Sequence, residues 1–336
     1  MKILVFFPRQ LGSSILSLPA LRAINKNFPA SQITLAVNEV YAGLLSKLLP
    51  EFSLIRLGEV KDIKKLKSTS QLLARQRFDL AILLDDSFAA ALLVYLARIP
   101  ERWGYDRENR GFMLTKKIRV KFTDPPLHLM DYYLSLLQKL GLQIDGAKAN
   151  LVLAETHVAE ARKQLSQAGD FSGEDLIILK PGSSWGLSRV WPLSYQLELV
   201  RKLSRLPARI VLVGSPASQA VCEKIVSGAD GHAHNLAGQW PLESMPGLLA
   251  LARVFVGNDG GLTHLANALG RPVVALYGPT DYRLCGPVLP PVHVFQKPAP
   301  CAPCSYKNCP YDHRCLQSIS PEEVFQKVVE LGSFSI

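Results

Sequence analysis

The sequence has no long uninterrupted hydrophobic run. Its longest apolar stretch, residues 88–99, is too short to cross a bilayer and contains Arg98. The first residues, MKILVFF, form a short apolar segment of strand type, without the longer hydrophobic region and cleavage site of a signal peptide. We therefore expect a cytoplasmic protein without a membrane span, in which the cysteines are mostly reduced.

Two common nucleotide-binding signatures are also missing. No Gly-x-Gly-x-x-Gly follows a predicted strand and no Walker A sequence is present, which disfavours a nicotinamide-dependent enzyme. No nucleic-acid-binding motif accompanies the basic residues, although the formal net charge is +10. We expect an anionic partner that carries phosphate or an anionic membrane face, and no nucleic acid. A basic surface that is merely solvated is the alternative.

The composition is that of a globular protein with a large core. Of the 336 residues, 48% are hydrophobic and 20% are charged, and the length suggests two domains. Short apolar segments alternate with longer segments of helical period, which predicts an α/β protein with two doubly wound parallel sheets. The carboxyl ends of their strands would face one cleft. The pattern loses its period at residues 143–158, so we place the domains at 1–158 and 159–336.

Three predicted segments of the first domain bear on function. Residues 14–27 predict a helix with Ser13 or Ser14 as its N-cap. A predicted strand at residues 80–84 is followed at once by two aspartates. Residues 100–127 are predicted to be rich in loops and carry several clustered basic side chains.

Residues 254–281 carry the densest signal of a ligand site. An apolar strand leads into a glycine-rich turn, and a helix follows at residues 262–269. Glycines let the backbone approach a ligand, and the free N–H groups of a helix N-terminus favour phosphate. Asp259 and His264 flank that position. The alternative is an ordinary strand–helix–strand unit in which the glycines only form a turn.

The loop at residues 181–192 would lie beside this turn. Arg189 lies between a predicted strand and a predicted helix, where a guanidinium can pair with phosphate through two hydrogen bonds. Ser183 and Ser184 add hydroxyl donors. Trp191 is predicted to pack in the core.

Several blocks together resemble a known family. They are residues 12–21 (GSSILSLPAL), 189–192 (RVWP), 258–265 (NDGGLTHL) and 277–280 (YGPT). In this order they resemble the ADP-heptose:lipopolysaccharide heptosyltransferases, which are members of glycosyltransferase family 9. The resemblance runs nearly from end to end, and DGGLTH is its most specific part.

The resemblance implies a GT-B fold with two Rossmann-like domains. It implies inverting, metal-independent transfer of heptose from ADP-heptose to the inner core of lipopolysaccharide, with no cofactor required. The C-terminal domain would bind the donor and the N-terminal domain the acceptor. The protein would then be a monomer that works in the cytoplasm, peripherally at the inner membrane.

The resemblance also implies roles for individual residues. Arg189 stands where the family usually has a lysine on the donor phosphate, and Asp259 would hold sugar hydroxyls. Basic side chains of the first domain would face the phosphorylated acceptor. The residues expected to contact the donor are Ser183, Ser184, Arg189, Asp259, Gly260, Gly261, Leu262, Thr263 and His264. Those expected to contact the acceptor are Arg9, Arg107 and Arg110.

Ser13 departs from the family pattern. The family usually has an aspartate directly after the glycine of the first loop, where it is the proposed general base. Asp85 or Asp86 could take this role, an acceptor phosphate could take the proton, or the protein is weakly active or altered at Ser13. A non-catalytic protein that binds nucleotide sugars or glycans and a nucleotide-sugar epimerase are therefore kept as alternatives.

Four cysteines lie close together near the C-terminus, at Cys301, Cys304, Cys309 and Cys315. A structural zinc or iron–sulfur site is one interpretation, and free thiols or a disulfide are the others. A final helix is predicted from Ser320 to about residue 331, with Pro321 and two glutamates in its first turn. In the resembled fold such a helix packs back across the domains.

Overall fold

The computed structural model of the chain describes residues 1–120, 126–146, 148–169, 171, 175–229 and 231–335. These residues form two compact units, Met1–Ala149 and Asn150–Ile336. The boundary comes earlier than the predicted one at residue 158. Residues 150–158 belong to the second unit, where Leu151 donates its backbone N–H to the carbonyl of Ala268 at 2.6 Å.

The first unit is a six-stranded parallel sheet with helices in the connections. Its strands are β1 (Lys2–Phe6), β2 (Gln32–Asn38), β3 (Ser53–Leu57), β4 (Leu80–Leu83), β5 (Glu101–Asp106) and β6 (Lys116–Arg119). Its helices are α1 (Leu11–Leu16), α2 (Leu18–Asn27), α3 (Glu39–Leu48), α4 (Ile63–Gln76), α5 (Phe88–Leu96) and α6 (Leu129–Lys139). The strand order is β3-β2-β1-β4-β5-β6.

The second unit repeats this architecture, with the strand order β12-β11-β10-β7-β8-β9. Its strands are β7 (Asp175–Lys180), β8 (Ala208–Leu212), β9 (Ala233–Asn235), β10 (Ala252–Asn258), β11 (Val273–Tyr277) and β12 (Val292–Gln296). Its helices are α7 (Glu155–Ala168), α8 (Leu193–Leu203), α9 (Gln219–Val226), α10 (Met245–Ala250), α11 (Gly261–Ala268), α12 (Tyr282–Cys285), α13 (Arg314–Gln317) and α14 (Pro321–Gly332).

The central strands are apolar on both faces because helices cover both sides of each sheet. Ile3, Leu4 and Val5 of β1 are fully buried, as are Ile177 and Ile178 of β7. In each unit the chain first extends the sheet in one direction and then crosses to build the other half. The strand order therefore reverses between the neighbouring strands β1 and β4 in the first unit, and between β7 and β10 in the second. Ligands of open α/β sheets bind at the carboxyl ends of such strand pairs.

The predicted helix at residues 14–27 is wrong in its start and its continuity. Two helices, α1 and α2, are separated at Ser17, because Pro19 cannot donate the N–H that would continue the first helix. Ser13 and Ser14 lie inside α1 and not at an N-cap. The hydroxyl of Ser14 instead donates to the carbonyl of Pro8 at 2.9 Å, which ties the helix to the preceding loop.

The loop-rich prediction for residues 100–127 is also wrong. This segment contains β5 and β6, whose short sequences are rich in charge and lack the apolar pattern of a buried strand. Both lie towards one edge of the sheet, where side chains remain half-exposed. Residues 121–125 fall outside the described part of the chain.

The predicted N-cap of the last helix is confirmed. Ser320 and Glu323 form a reciprocal capping box at the start of α14. Within its own unit, α14 packs on α8, β10 and β11. The predicted core position of Trp191 is confirmed as well, since its indole N–H donates to the carbonyl of Ile319 at 3.1 Å. Among the described residues, no helix has the length and apolar character that a bilayer span requires.

Candidate active site

In the second unit, polar and charged side chains gather where β7 and β10 end side by side. Lys180, the last residue of β7, pairs in register with Gly257 of β10. The loop after β7 carries Arg189, and the turn after β10 carries Asp259. The structure therefore brings together the two loops that the sequence analysis assigned to the donor.

Arg189 and Asp259 form a partly buried ion pair. Nη1 of Arg189 lies 2.9 Å from Oδ2 of Asp259, and the side chains are 19% and 8% exposed. The guanidinium also lies over the ring of Trp185, with 5.0 Å between its central carbon and the ring centroid. Both charges are thus held in fixed positions before any ligand arrives.

Helix α11 begins directly beside this pair. Gly260 is its N-cap, and the N–H of Thr263 already donates to the carbonyl of Gly260 at 3.1 Å. The Thr263 hydroxyl donates to the carbonyl of Asn258 at 2.6 Å, so the hydroxyl as well as the N–H of Thr263 is bonded within the turn. The N–H groups of Gly261 and Leu262, at the very start of the helix, are the ones available to an anion.

Sequence reasoning missed Lys180 and Asn258. Nζ of Lys180 donates to the carbonyl of Gly182 at 2.7 Å and to Oδ1 of Asn258 at 3.0 Å. Nδ2 of Asn258 in turn donates to the carbonyl of Arg189 at 2.6 Å. A signal was available, since Lys180 is a cation that follows the apolar residues 176–179 at the carboxyl end of β7, where ligands of such sheets bind.

The remaining predicted donor residues differ in exposure. Ser184 is exposed and Ser183 is half-buried, with its hydroxyl accepting the N–H of Trp185 at 3.2 Å. His264 is buried within α11. Ser183 and Ser184 therefore lie on the loop, free of the core, whereas His264 belongs to the helix interior.

The cysteine-rich segment packs against the loop after β7 and the segment after β11. The N–H of Cys304 donates to the carbonyl of Pro279 at 2.7 Å, and the N–H of Ser188 donates to the carbonyl of Lys307 at 2.9 Å. All six cysteines are free thiols, and burial raises the pKa of Cys315. Within the ranges that the structure covers, no three histidine, cysteine or carboxylate side chains are grouped as a metal site. These contacts pack the cysteine-rich segment against its own unit, and the thiols of Cys301, Cys304 and Cys309 all lie close enough to Cys315 to raise its pKa.

In the first unit, the equivalent strand pair brings Ser13, Asp85 and Asp86 to one place. The N–H of Leu84 donates to the carbonyl of Phe6 at 2.9 Å, so the segments after β1 and β4 leave the sheet together. The Ser13 hydroxyl is a hydrogen-bond partner of the Tyr133 hydroxyl, on α6. The carboxylates of Asp85 and Asp86 both act electrostatically on Tyr133.

Asp86 is the more accessible of the two carboxylates, with 32% of its side chain exposed. Its Oδ2 accepts a hydrogen bond from the Tyr132 hydroxyl at 2.5 Å, and its Oδ1 accepts one from Arg110 at 3.2 Å. Burial raises its pKa above the usual aspartate value, although Tyr132 and Arg110 oppose the rise. Asp85 is buried and its Oδ1 accepts the N–H of Ser87 at 2.8 Å, as a turn residue does.

Arg110 does not fit the expected contact with the acceptor. Its side chain is 0% exposed, and it donates to the carbonyls of Tyr105, Asp85 and Ser87 as well as to Asp86. It therefore acts on the site by fixing the segment that carries the two aspartates.

The other two predicted acceptor residues, Arg9 and Arg107, are exposed. Arg107 lies close enough to Asp86 to lower its pKa. Tyr132 and Tyr133 were not predicted as site residues, because no motif indicates that they contact Asp86 and Ser13, which lie far away in the sequence.

A model of glycosyltransferase family 9, the heptosyltransferase family, matches residues 66–314. The chain belongs to this family. A lipopolysaccharide heptosyltransferase 2 from Salmonella typhimurium is 31% identical over 294 residues, which cover 84% of each chain. The protein of the same name from Escherichia coli K12 is 29% identical over 292 residues, again 84% of each chain.

Solved structures agree with this assignment. The chain matches the structure of E. coli ADP-heptose lipopolysaccharide heptosyltransferase II with a TM-score of 0.85 and 26% identity over 99% of each chain. The E. coli heptosyltransferase WaaC with ADP has the same fold, with a TM-score of 0.74, 21% identity and coverage of 98% and 100%. This family 9 protein is therefore a glycosyltransferase of the GT-B class, and the predicted family and fold are confirmed. The comparisons favour neither the epimerase nor the non-catalytic alternative.

Proposed function

We propose that this family 9 protein transfers a heptose from ADP-heptose to the inner core of a lipopolysaccharide. The observation that carries the proposal is the Arg189–Asp259 pair at the N-terminus of α11. A cation and free N–H groups suit a diphosphate, and a buried carboxylate suits the hydroxyls of the attached sugar. The names of the relatives support heptose as that sugar and lipopolysaccharide as the acceptor.

In this proposal the second unit binds the donor. Arg189 and the N–H groups of Gly261 and Leu262 hold the diphosphate, while Ser183 and Ser184 contact it from the loop. Asp259 accepts hydrogen bonds from the sugar. As the bond to the anomeric carbon breaks, ADP leaves with the bonding electrons, and the same fixed donors stabilise the growing negative charge. These protein cations remove the need for a metal ion.

The first unit then binds and activates the acceptor, with Asp86 as the general base in place of the family's aspartate at Ser13. Its carboxylate is accessible, and its raised pKa makes it a stronger base than an ordinary aspartate. It takes the proton from the acceptor hydroxyl while the oxygen attacks the anomeric carbon from the face opposite ADP, which inverts the configuration. Arg107 and Arg9 are exposed cations that suit acceptor phosphates.

The test is ADP release from ADP-heptose, with and without a heptose-deficient lipopolysaccharide, for this chain and for Ser13→Asp. Release that requires the acceptor in the unaltered chain supports the transferase with its base outside Ser13. Release only from Ser13→Asp supports the donor site and removes Asp86 as the base. Release without acceptor would be hydrolysis of the donor by water and would contradict acceptor-dependent transfer, and no release from either protein would contradict the proposed donor.

We further propose that the protein acts as a monomer attached peripherally to an anionic membrane face. The acceptor is a lipid, and a net charge of +10 attracts such a surface. Size-exclusion chromatography with light scattering measures the oligomeric state, and a dimer would contradict the first part of this proposal.

A further inference from the structure

The charge of Lys180 has no directly bonded counterion. Both acceptors of its ammonium group are neutral oxygens, the carbonyl of Gly182 and Oδ1 of Asn258. Asp259, the carboxylate that acts on it electrostatically, is in contact with Arg189 at 2.9 Å. Within the described ranges, no carboxylate lies within salt-bridge distance of Lys180. A half-buried cation in this state is costly unless an anion completes its surroundings.

Lys180 also lies directly beside the start of α11. A Cβ atom placed on Gly260 would come within 3.2 Å of its Nζ. Gly260 is the N-cap, and the N-terminus of a helix carries partial positive charge. Two cations and a helix N-terminus therefore converge where one carboxylate, Asp259, is present. This surplus of positive charge favours an anion with more than one negative charge.

We propose that Lys180 is a further diphosphate-binding residue of the donor site. An ammonium group has three N–H donors, and two of them are used by Gly182 and Asn258. The third contacts a diphosphate oxygen at the N-terminus of α11, where the absence of a side chain on Gly260 leaves the approach open. This inference rests on the proposed function, since the diphosphate is that of the ADP-sugar donor.

The charge of Lys180, and with it ADP affinity, depends on pH. Burial lowers the pKa of Lys180 to about 8, with Asp259 raising it and Arg189 lowering it further. As the pH rises through this value in the free protein, Lys180 loses its charge and ADP affinity falls. Tyr277 and Cys285 also lie near Asp259, but burial raises the pKa of Tyr277 well above its ordinary value and that of Cys285 to about 12. Both remain neutral over the range in which Lys180 titrates.

The experiment is calorimetric titration of the full chain, which measures the affinity for ADP directly and the affinity for adenosine from its competition with ADP. Lys180→Met should weaken ADP binding by about tenfold to a hundredfold, the effect of one charge-assisted hydrogen bond. Adenosine affinity should stay unchanged because adenosine has no phosphate. If Lys180 only shaped the loop, Lys180→Met would lower the affinities for ADP and for adenosine by the same factor, and that result would overturn the inference.

Lys297→Met is the matched control. Lys297 follows β12 at the same end of the same sheet, but its ammonium is paired with Glu323 at 2.6 Å. The substitution removes the same charge from the same unit and should leave ADP affinity unchanged. If both variants lost the same ADP affinity, the loss would come from the net charge of the unit, and the proposed contact of Lys180 with the diphosphate would be contradicted.

The pH profile gives a second readout that does not depend on Lys180→Met being well folded. ADP affinity of the unaltered chain should fall between about pH 7 and pH 9.5, whereas Lys180→Arg should hold its affinity because a guanidinium stays charged. An identical profile in both proteins would count against Lys180. If the unaltered chain binds ADP but Lys180→Met binds it equally well, this inference alone fails. If the unaltered chain binds no ADP, the proposed function fails and the inference with it.

Discussion

At the scale of single residues, burial and hydrogen bonds set the properties of Asp86, the proposed general base. Asp86→Asn should lower kcat by about 10²- to 10⁴-fold, the usual contribution of a general base. The KM for ADP-heptose should change little, since Asp86 belongs to the first unit. Initial rates of ADP release with saturating acceptor measure both constants.

The pH dependence of the same reaction tests the state of Asp86. A base must be deprotonated, and burial raises the pKa of Asp86 above 3.8. Activity should therefore decline with falling pH at a higher pH than an ordinary aspartate would give, and this decline should be absent from Asp86→Asn. Asp85→Asn is the comparison variant. If it abolishes turnover while Asp86→Asn does not, the role of base belongs to Asp85.

Arg110 is also a residue-scale case, but its effect is on stability. Arg110→Met removes the donor to three backbone carbonyls and to Asp86, and so leaves buried acceptors unpaired. The free energy of unfolding should fall by about 2–5 kcal/mol. Urea unfolding measures it, with Arg107→Met as the exposed control, which should change it by about 0.5 kcal/mol or less. Equal stability of the two variants would contradict the structural role.

At the scale of elements, the loop after β7, which is proposed to bind the donor, is in close contact with the cysteine-rich segment. A Cβ on Gly186 would clash with the backbone carbonyl of Lys307, which accepts the N–H of Ser188. Gly186→Ala should displace the loop at a cost of about 1–3 kcal/mol and weaken ADP binding, as calorimetry would detect. Lys307→Ala keeps the carbonyl and should bind ADP nearly as the unaltered chain does. Normal binding by Gly186→Ala would show that this contact does not position the loop.

Some helices and strands could be predicted from the sequence, and others could not. Buried strands such as β1 and β7 were predictable because an apolar run between helices has few other solutions. β5 and β6 were missed because strands near a sheet edge can be short and charged and still complete their backbone hydrogen bonds. The two units divide at residues 149–150, inside the predicted linker at 143–158, and α7 joins the second unit through its packing on α10.

At the scale of the whole molecule, the net charge of +10 should govern attachment to membranes. Binding to vesicles that contain anionic phospholipid should be clear at about 0.05 M salt and largely lost at about 0.5 M, because salt screens surface charge. Co-sedimentation measures the bound fraction, and vesicles of neutral phosphatidylcholine are the control. Binding that is equal on both vesicles, or that salt leaves unchanged, would contradict electrostatic attachment.

The sequence by itself determined the family, the α/β class and the position of the loops proposed to bind the donor. These are local features, since a strand, a glycine turn and a helix N-terminus lie within a few residues of one another at residues 254–281. Only the tertiary structure decided which charges meet. Lys180 donates a hydrogen bond to Asn258 and Tyr132 donates one to Asp86, each to a residue far away in the sequence, and Arg110 is buried. The physical reason is that hydrogen bonding and burial depend on neighbours that folding supplies, whereas turns and periodicity depend on neighbours in the sequence.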